Sequence, residues 1–391
     1  MFVALAGYLI AYRINQSAVV GIILAGIIVG PSLLGLVTYT DFVATLAHIG
    51  AVVLLFTIGL EFSIKDIAKL NYLFIALFGI LIPVGSGFLL AELFGFDFKA
   101  SIFIGTALTA TSIAITANVL REMGKLQTSS AKAIIGAAVI DDILALLALS
   151  ISEGLVTGSV SSLSLLSTAG KAIGFIVLGI VFGKFVLSKL LIRLDRTQIC
   201  GKYPESIFIF AIMVAFLYAM GAELVGLSAI VGSFLAGASF AGIKLTRGAV
   251  FREGAEHLQI IFASIFFVSL GVIMDLHSLT LELIWFVLAL TAVALISKLL
   301  GCGIPALAQG MTLKESTIIG IGMIPRGEVA MLVALIGLGQ GLINQGVYSA
   351  LILMSLLTTI IPPLILRNWL YKAESIDNRQ KCISENQENK D

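Results

Sequence analysis

Two adjacent aspartates, Asp141 and Asp142, interrupt a long apolar run between Ile134 and Leu149. The run has no turn-forming residues around the pair, so a surface turn does not explain them. A charged side chain at the middle of a bilayer costs about 2.5–3.5 kcal/mol, and two adjacent carboxylates also repel each other. We therefore expect the pair to hold a cation or a proton.

A further buried charge, Lys298, lies near the middle of the apolar stretch from Ala292 to Gly301. A lysine at this depth does not reach water easily, so it needs a buried partner. The aspartate pair is the strong anionic site in the other half of the chain. The alternative is that the predicted boundaries are displaced and the lysine reaches the membrane surface.

The predicted span that precedes the aspartates contains an unusual number of polar residues between Ile104 and Asn118. Its polar residues are Thr106, Thr109, Thr111, Ser112, Thr116 and Asn118. Two interpretations are open. Either the hydroxyls hydrogen-bond back to carbonyls of their own helix, or the helix is broken and its freed carbonyls and hydroxyls line a cavity.

A later run contains Pro325, Arg326, Gly327 and Glu328 in succession. Proline removes a backbone donor and clashes with the preceding turn, and glycine loosens the backbone, so the helix is predicted to break here. Arg326 and Glu328 lie inside the predicted break. They either stabilise the break or contact the ion, and the sequence leaves both roles open.

The elements that carry these residues are predicted to be membrane-spanning helices. The chain has 391 residues, of which 59% are hydrophobic and 12% are charged, and its mean hydropathy is +1.09. A soluble domain is about 25% charged. Since a span needs about 20 residues, we predict an all-α polytopic membrane protein with about thirteen spans within residues 1–370. The predicted spans are Met1–Ala11, Ala18–Leu36, Phe42–Leu60, Tyr72–Phe94, Ala100–Leu120, Ile134–Ile151, Leu165–Leu191, Ile207–Leu224, Ser228–Ile243, Ile260–Met274, Leu281–Leu307, Ser316–Leu338 and Val347–Leu370.

Positive charge predicts the orientation of these spans. The loops after odd-numbered spans carry most of the lysines and arginines, whereas the opposite side carries only Lys99 and Lys171. By the positive-inside rule the crowded side is cytoplasmic. We therefore expect a plasma-membrane protein with its N-terminus outside and its C-terminus in the cytoplasm. Residues 371–391 are rich in polar side chains, so we expect this tail to be disordered.

The two candidate breaks lie in the fifth and twelfth spans, which run in opposite directions because an odd number of spans separates them. Such an arrangement is typical of an inverted-topology repeat with its site near the membrane midplane. Pairing spans 2–6 with spans 9–13 places the aspartate helix opposite the last span. Opposed half-helix ends would then offer partial charges of both signs at the site.

Composition gives no support to several other chemistries. Cys200, Cys302 and Cys382 are scattered and the histidines lack ligand-like spacing, so neither a disulfide framework nor a zinc or iron site is predicted. The net charge is +1 and no basic cluster occurs, so we expect no nucleic-acid partner. We also expect no cofactor.

Segments spread from Gly21 to Pro363 are similar to one known family. They are Leu24–Pro31, Leu55–Glu61, Thr106–Ser112, Gly136–Asp142, Phe266 and Phe267 with Gly271, Lys298, and Pro325–Glu328. They resemble the monovalent cation:proton antiporter-2 family, and within it the sodium/proton antiporters of the NapA type. In that family, an aspartate pair with a later membrane lysine accompanies electrogenic sodium/proton exchange.

The resemblance implies a fold of thirteen helices, with a dimerisation domain, a mobile core domain and two crossed discontinuous helices at the site. It also implies that the protein is a homodimer. Such a protein moves ions without making or breaking covalent bonds, so we expect a transporter and not an enzyme. By position, Asp142 corresponds to the main Na⁺ and proton site, and Asp141 to the partner of Lys298. Thr111 and Ser112 correspond to the unwound segment beside them. Cation and protons would compete for these carboxylates during elevator-like alternating access.

Other functions remain open at this point. A potassium/proton antiporter would keep the same architecture, because the size of a cation site is not readable from sequence. A sodium-coupled organic-anion symporter could use a similar repeat, but we would expect a larger polar or aromatic pocket. A channel would not need a titrating pair beside a lysine, and a receptor of this fold would have no reason to keep all three charges.

Overall fold

The computed structural model describes residues 1–62, 64, 69, 71–157, 162–243, 245–246, 248–274 and 281–371. These residues form helices and connections without any strand. Eight helices are long and apolar enough to cross a membrane, and further short apolar helices accompany them. The all-α membrane fold is confirmed, whereas the number of crossings remains a prediction. Of the predicted polar tail, only Tyr371 lies within the described residues.

The first half of the chain forms ten helices in the described residues, counted here in chain order. They are α1 (Phe2–Arg13), α2 (Ala18–Val29), α3 (Asp41–Gly59), α4 (Asn71–Leu93), α5 (Phe98–Ala107), α6 (Ile113–Glu122), α7 (Ser129–Thr157), α8 (Ser162–Phe182), α9 (Ser188–Asp195) and α10 (Gln198–Lys202). One π-helical turn, Gly183–Leu187, joins α8 to α9.

The second half contains the remaining described helices. They are α11 (Ser206–Leu224), α12 (Ala229–Phe240), α13 (Gly248–Val272), α14 (Leu281–Ala308), α15 (Leu313–Gly322), α16 (Glu328–Gly339) and α17 (Gln345–Ile365). A π-helical turn, Leu366–Leu370, follows α17.

Polar side chains cap several helix starts. Thr40, Asp97 and Asn344 each accept a hydrogen bond from a backbone N–H in the first turn of α3, α5 and α17. Thr312 and Glu315 form a capping box at the start of α15. The caps satisfy donors that a helix end leaves unpaired, so local sequence determines where these helices begin.

Both predicted breaks are present. Residues 108–112 separate α5 from α6, and residues 323–327 separate α15 from α16. Back-bonding also occurs, because Thr106 Oγ1 donates to the carbonyl of Ile102 at 2.8 Å. Both interpretations of the polar fifth span therefore hold, the first within α5 and the second just after it.

Several helix boundaries differ from the prediction, and two of these differences have a local cause. α2 covers only part of the predicted span Ala18–Leu36, because Gly30 adopts an extended conformation directly before Pro31. α13 begins at Gly248, well before the predicted start at Ile260. Its first turns carry several charged residues, so an apolar run alone did not reveal them.

The helices pack as two bundles. The α2 bundle contains α1, α2, α3, α11, α12 and α13, and the site bundle contains α4–α7 and α14–α17. α8 contacts α7 in the site bundle as well as α11 and α12 in the α2 bundle, and α6 contacts α2 and α3 across the boundary. The candidate site residues Asp141, Asp142 and Lys298 lie on helices of the site bundle, and both helix breaks belong to it.

Candidate functional site

The two helix breaks contact each other directly. The backbone N–H of Ser112 donates to the carbonyl of Pro325 at 2.7 Å, and Thr111 Oγ1 donates to the carbonyl of Met323 at 3.2 Å. Helix ends leave carbonyls without intrahelical partners. The connection between α5 and α6 thus supplies donors that the broken end of α15 needs, and the two discontinuous helices cross at this point.

Arg326 supports the crossing from the other break. Its side chain is fully buried, and Nη1 donates to the carbonyl of Ala110 at 2.8 Å. The carbonyl of Arg326 accepts a hydrogen bond from Thr359 Oγ1 at 2.9 Å. A β-carbon built on Gly327 would lie 2.8 Å from both Cβ and Oγ of Ser112. Glycine therefore permits the close approach of the two breaks.

Lys298 and Asp141 form a buried ion pair between α14 and α7. Lys298 Nζ lies 3.0 Å from Asp141 Oδ1, and the two side chains are 0% and 1% exposed. Gly79 of α4 covers the pair, since a β-carbon there would lie 2.6 Å from Cys302 Sγ and 3.6 Å from Lys298 Nζ. The lysine at this depth thus has a buried partner, the aspartate expected from the sequence.

Asp142 faces away from this ion pair. Adjacent residues on a helix point about 100° apart, so α7 directs Asp141 toward α14 and Asp142 toward α12. Asp142 is half-buried, and its Oδ2 accepts a hydrogen bond from the backbone N–H of Ser228 at 3.1 Å. Ser228 is the N-cap of α12. A helix N-terminus carries partial positive charge, which stabilises the Asp142 carboxylate in this conformation.

Several polar atoms beside the crossing are buried without a hydrogen-bond partner among the described residues. They are Asp141 Oδ2, Ser112 Oγ, and Nε and Nη2 of Arg326. Leaving such a group unpaired costs about 1–3 kcal/mol, and buried polar groups commonly bind ordered water. The atoms therefore form a buried polar cluster whose hydrogen-bonding capacity is not filled by the described residues.

The remaining candidate, Glu328, begins α16. Its side chain lies outside the described part of the chain, so its predicted role stays a prediction.

Three residues beside the site were not predicted from the sequence, namely Gly79, Cys302 and Ser228. Cys302 follows Lys298 by one helical turn, which places both on one face of α14 and was a usable signal. Nothing in the sequence pointed to contacts of Gly79 or Ser228 with the site.

Comparison with known proteins agrees with the fold. The sequence profile of the family described as "Sodium/hydrogen exchanger, transmembrane" matches residues 1–372. The Na⁺/H⁺-K⁺ antiporter GerN of Bacillus cereus is 32% identical over 365 residues, covering 93% of this chain and 92% of that protein. A Na⁺/H⁺ antiporter of Enterococcus hirae is 34% identical over 371 residues, covering 93% and 94%.

A solved structure shares the fold. The sodium proton antiporter MjNhaP1 of Methanocaldococcus jannaschii superposes with a TM-score of 0.68 at 16% identity, covering 94% of this chain and 95% of that one. The family is one of integral membrane transporters and not of enzymes. By the profile match and by both relatives, the chain belongs to the sodium/hydrogen exchanger family.

Proposed function

We propose that the chain is a secondary active antiporter that exchanges Na⁺ or Li⁺ for protons, with Asp141 and Asp142 as the carrying groups. The observation that supports this most is the fully buried ion pair of Lys298 and Asp141, with a second carboxylate adjacent to it on α7. The relatives from Bacillus cereus and Enterococcus hirae are both named for sodium/proton antiport, which supports the choice of ions.

Asp142 is the proposed main ligand of the transported Na⁺. Thr111 Oγ1 acts as a donor at the crossing, and a hydroxyl that donates its hydrogen still has two lone pairs available to a cation. Ser112 Oγ is buried and without a partner among the described residues. Hard monovalent cations prefer oxygen ligands, and the carboxylate, these hydroxyls and the carbonyls of the breaks are all oxygen donors.

Competition between proton and cation for the same carboxylates couples their movements. Protonated Asp142 lacks the charge that a cation needs, and ionised Asp142 is costly in the membrane unless a cation occupies the site. Two interacting carboxylates release their protons in steps that belong to the pair. If Lys298 also releases its proton when the cation binds, two protons exchange for one Na⁺, and transport is electrogenic.

Movement of one bundle against the other would expose the site alternately to the two sides of the membrane. A cavity of about 1130 Å³ lies between the ends of α3, α6 and α12 and the first half of α13, with Glu61, Glu253 and Glu256 among its lining residues. Arg121, which also lines the cavity, pairs with Glu61 at 2.9 Å. Glu253 and Glu256 are therefore the carboxylates proposed to attract cations there. The charge asymmetry of the loops supports a cytoplasmic location for this face, with the N-terminus outside. The plasma membrane and a homodimer are proposed with the antiporter function that the family resemblance implies.

A potassium/proton antiporter is the alternative. The Bacillus cereus relative is named for both Na⁺ and K⁺, and the same carboxylates and hydroxyls could hold either cation. A sodium-coupled organic-anion symporter is less well supported, because the groups described at the crossing are hydroxyls, carbonyls and a carboxylate, which suit a small cation.

The test is proton movement in proteoliposomes that carry a preset, inside-acid pH gradient. We expect Na⁺ or Li⁺ to dissipate the gradient with the wild type, and Asp142→Asn to lose at least about tenfold in rate. Asp41→Asn is the matched control, because Asp41 is an exposed carboxylate at the start of α3. If only K⁺ works, the substrate changes and antiport stands. If no cation moves protons, or if Asp142→Asn matches the wild type, the proposal is wrong.

A further inference from the structure

The turn between α1 and α2, residues 14–17, has a well-defined conformation. Asn15 has a φ of 51°, a left-handed conformation that asparagine tolerates better than most residues. The N–H of Gln16 donates to the carbonyl of Ala11 at 2.9 Å. The side chain of Ser17 caps α2 by accepting a hydrogen bond from Val19 N–H. The turn therefore presents consecutive polar side chains in fixed directions.

These side chains contact the site bundle. The amides of Gln16 and Asn368 form two reciprocal hydrogen bonds of 3.3 Å. Arg367 Nη2 donates to Asn15 Oδ1 at 3.4 Å. Arg367 and Asn368 lie in the π-helical turn that follows α17, so one half of the turn is bonded to the end of α17.

The other half of the turn is bonded to the end of α6. Glu122 Oε2 accepts hydrogen bonds from Ser17 Oγ at 2.6 Å and from Ala18 N–H at 3.1 Å. Glu122 Oε1 accepts a third from Asn118 at 3.0 Å, within α6. The carboxyl of Glu122 therefore joins α6 to the first turn of α2 through two hydrogen bonds.

α6 and α17 both connect the turn to the ion site. α6 is a ten-residue helix that begins directly after Ser112 and ends at Glu122, so its two ends move together. α17 supplies Thr359, whose hydroxyl donates to the carbonyl of Arg326 at the other break. A displacement of the site bundle relative to α2 therefore has to break the contacts of the turn.

We propose that the α1–α2 turn is a latch between the two bundles, which must open before the site bundle moves and which sets the rate of alternation. The latch rests on the proposed function, since a rate of alternation exists only if the chain transports. It binds no transported ion, because its residues lie on the far end of α6 from Thr111 and Ser112. It is expected to affect the rate of transport and not the affinity for Na⁺.

Cross-linking tests the latch. A short reducible bis-methanethiosulfonate linker joins the two cysteines of the variant Gln16→Cys with Asn368→Cys, in which Cys382→Ser removes a third thiol. Cys200 and Cys302 are buried and are left in place. We expect the linked protein to lose at least about tenfold in proton flux driven by Na⁺, and to recover when the linker is reduced.

A matched control links two positions within the site bundle. Gln309 Nε2 donates to the carbonyl of Asn71 at 2.9 Å, so the pair Asn71→Cys with Gln309→Cys joins the end of α14 to the start of α4. This linked control is expected to transport at its reduced rate. Equal flux from the linked and reduced latch pair would overturn the latch, whereas absence of flux from every reduced protein would overturn the proposed function instead.

A loosened variant gives an independent readout. Gln16→Ala with Asn368→Ala removes the reciprocal amide pair, and we expect transport at saturating Na⁺ to become about three- to tenfold faster with an unchanged apparent KM. An unchanged or slower rate in a protein that binds Na⁺ normally would contradict a latch that holds the resting conformation.

Discussion

Replacing Lys298 with methionine tests the buried ion pair quantitatively. Methionine keeps an unbranched side chain of similar length, so packing in α14 changes little. Lys298 Nζ donates to Asp141 Oδ1 at 3.0 Å and is the cation that pairs with this carboxylate in the described residues, whereas Asp141 Oδ2 has no hydrogen-bond partner among them. Removing one member of a buried pair costs about 3–5 kcal/mol, because the other charge remains buried and unpaired.

The expected loss can be expressed as a change in Tm. At ~2.1 cal/mol/K per residue, the unfolding entropy of 391 residues is ~0.8 kcal/mol/K. Lys298→Met in detergent at alkaline pH should therefore unfold about 4–6 °C below the wild type. Adding Asp141→Asn removes the unpaired charge, so the double variant should return to within about 1–2 °C of the wild type.

Acidification gives a second readout for the same variant. Protonation of Asp141 removes its charge, so the deficit of Lys298→Met shrinks by up to about 1.4 kcal/mol per pH unit as pH falls, until the carboxyl is protonated in the unfolded chain too. The reasoning is refuted if Lys298→Met and the double variant lose the same stability, or if the deficit is independent of pH.

Three further predictions concern packing and pH. Gly327→Ala should abolish transport and lower stability by about 1–3 kcal/mol, because its β-carbon would lie 2.8 Å from Ser112; Gly339→Ala, with nothing within 4 Å, should be tolerated. Gly79→Ala should disturb the Lys298 pair and lower the Tm, because the new β-carbon would lie 2.6 Å from Cys302 Sγ. Adding Cys302→Ala should restore part of the lost Tm, and no restoration would contradict the contact. In proteoliposomes, the apparent KM for Na⁺ should rise about tenfold per unit of acidification while one proton competes, and a constant KM would exclude competition.

The charged residues of the site could be predicted from the sequence, because placing a charge in a membrane span has a high free-energy cost. Asp141, Asp142 and Lys298 stand out in a membrane span because each is expensive there, and Pro325 marks a break because proline cannot donate. The sequence also predicted that the fifth span is unusually polar. Each of these inferences depends on local chemistry, which a sequence displays directly.

Contacts that depend on how helices pack could not be found in this way. The approach of Gly79 to the ion pair, the hydrogen bond from Ser228 to Asp142, and the bond between Gln16 and Asn368 each join segments far apart in the chain. Nothing in the composition of either partner indicates the other. The same applies to the first half of α13, where Phe251 packs against Phe208 of α11.

The measurement that tests the central claim most directly is proton release by purified protein when Na⁺ is added in weakly buffered solution at alkaline pH. If cation and proton compete for the carboxylates of α7, the wild type and the exposed-site control Asp41→Asn will release protons in proportion to the Na⁺ bound. Asp142→Asn will release few or none. Na⁺ binding without proton release by the wild type, or undiminished release by Asp142→Asn, would contradict the account.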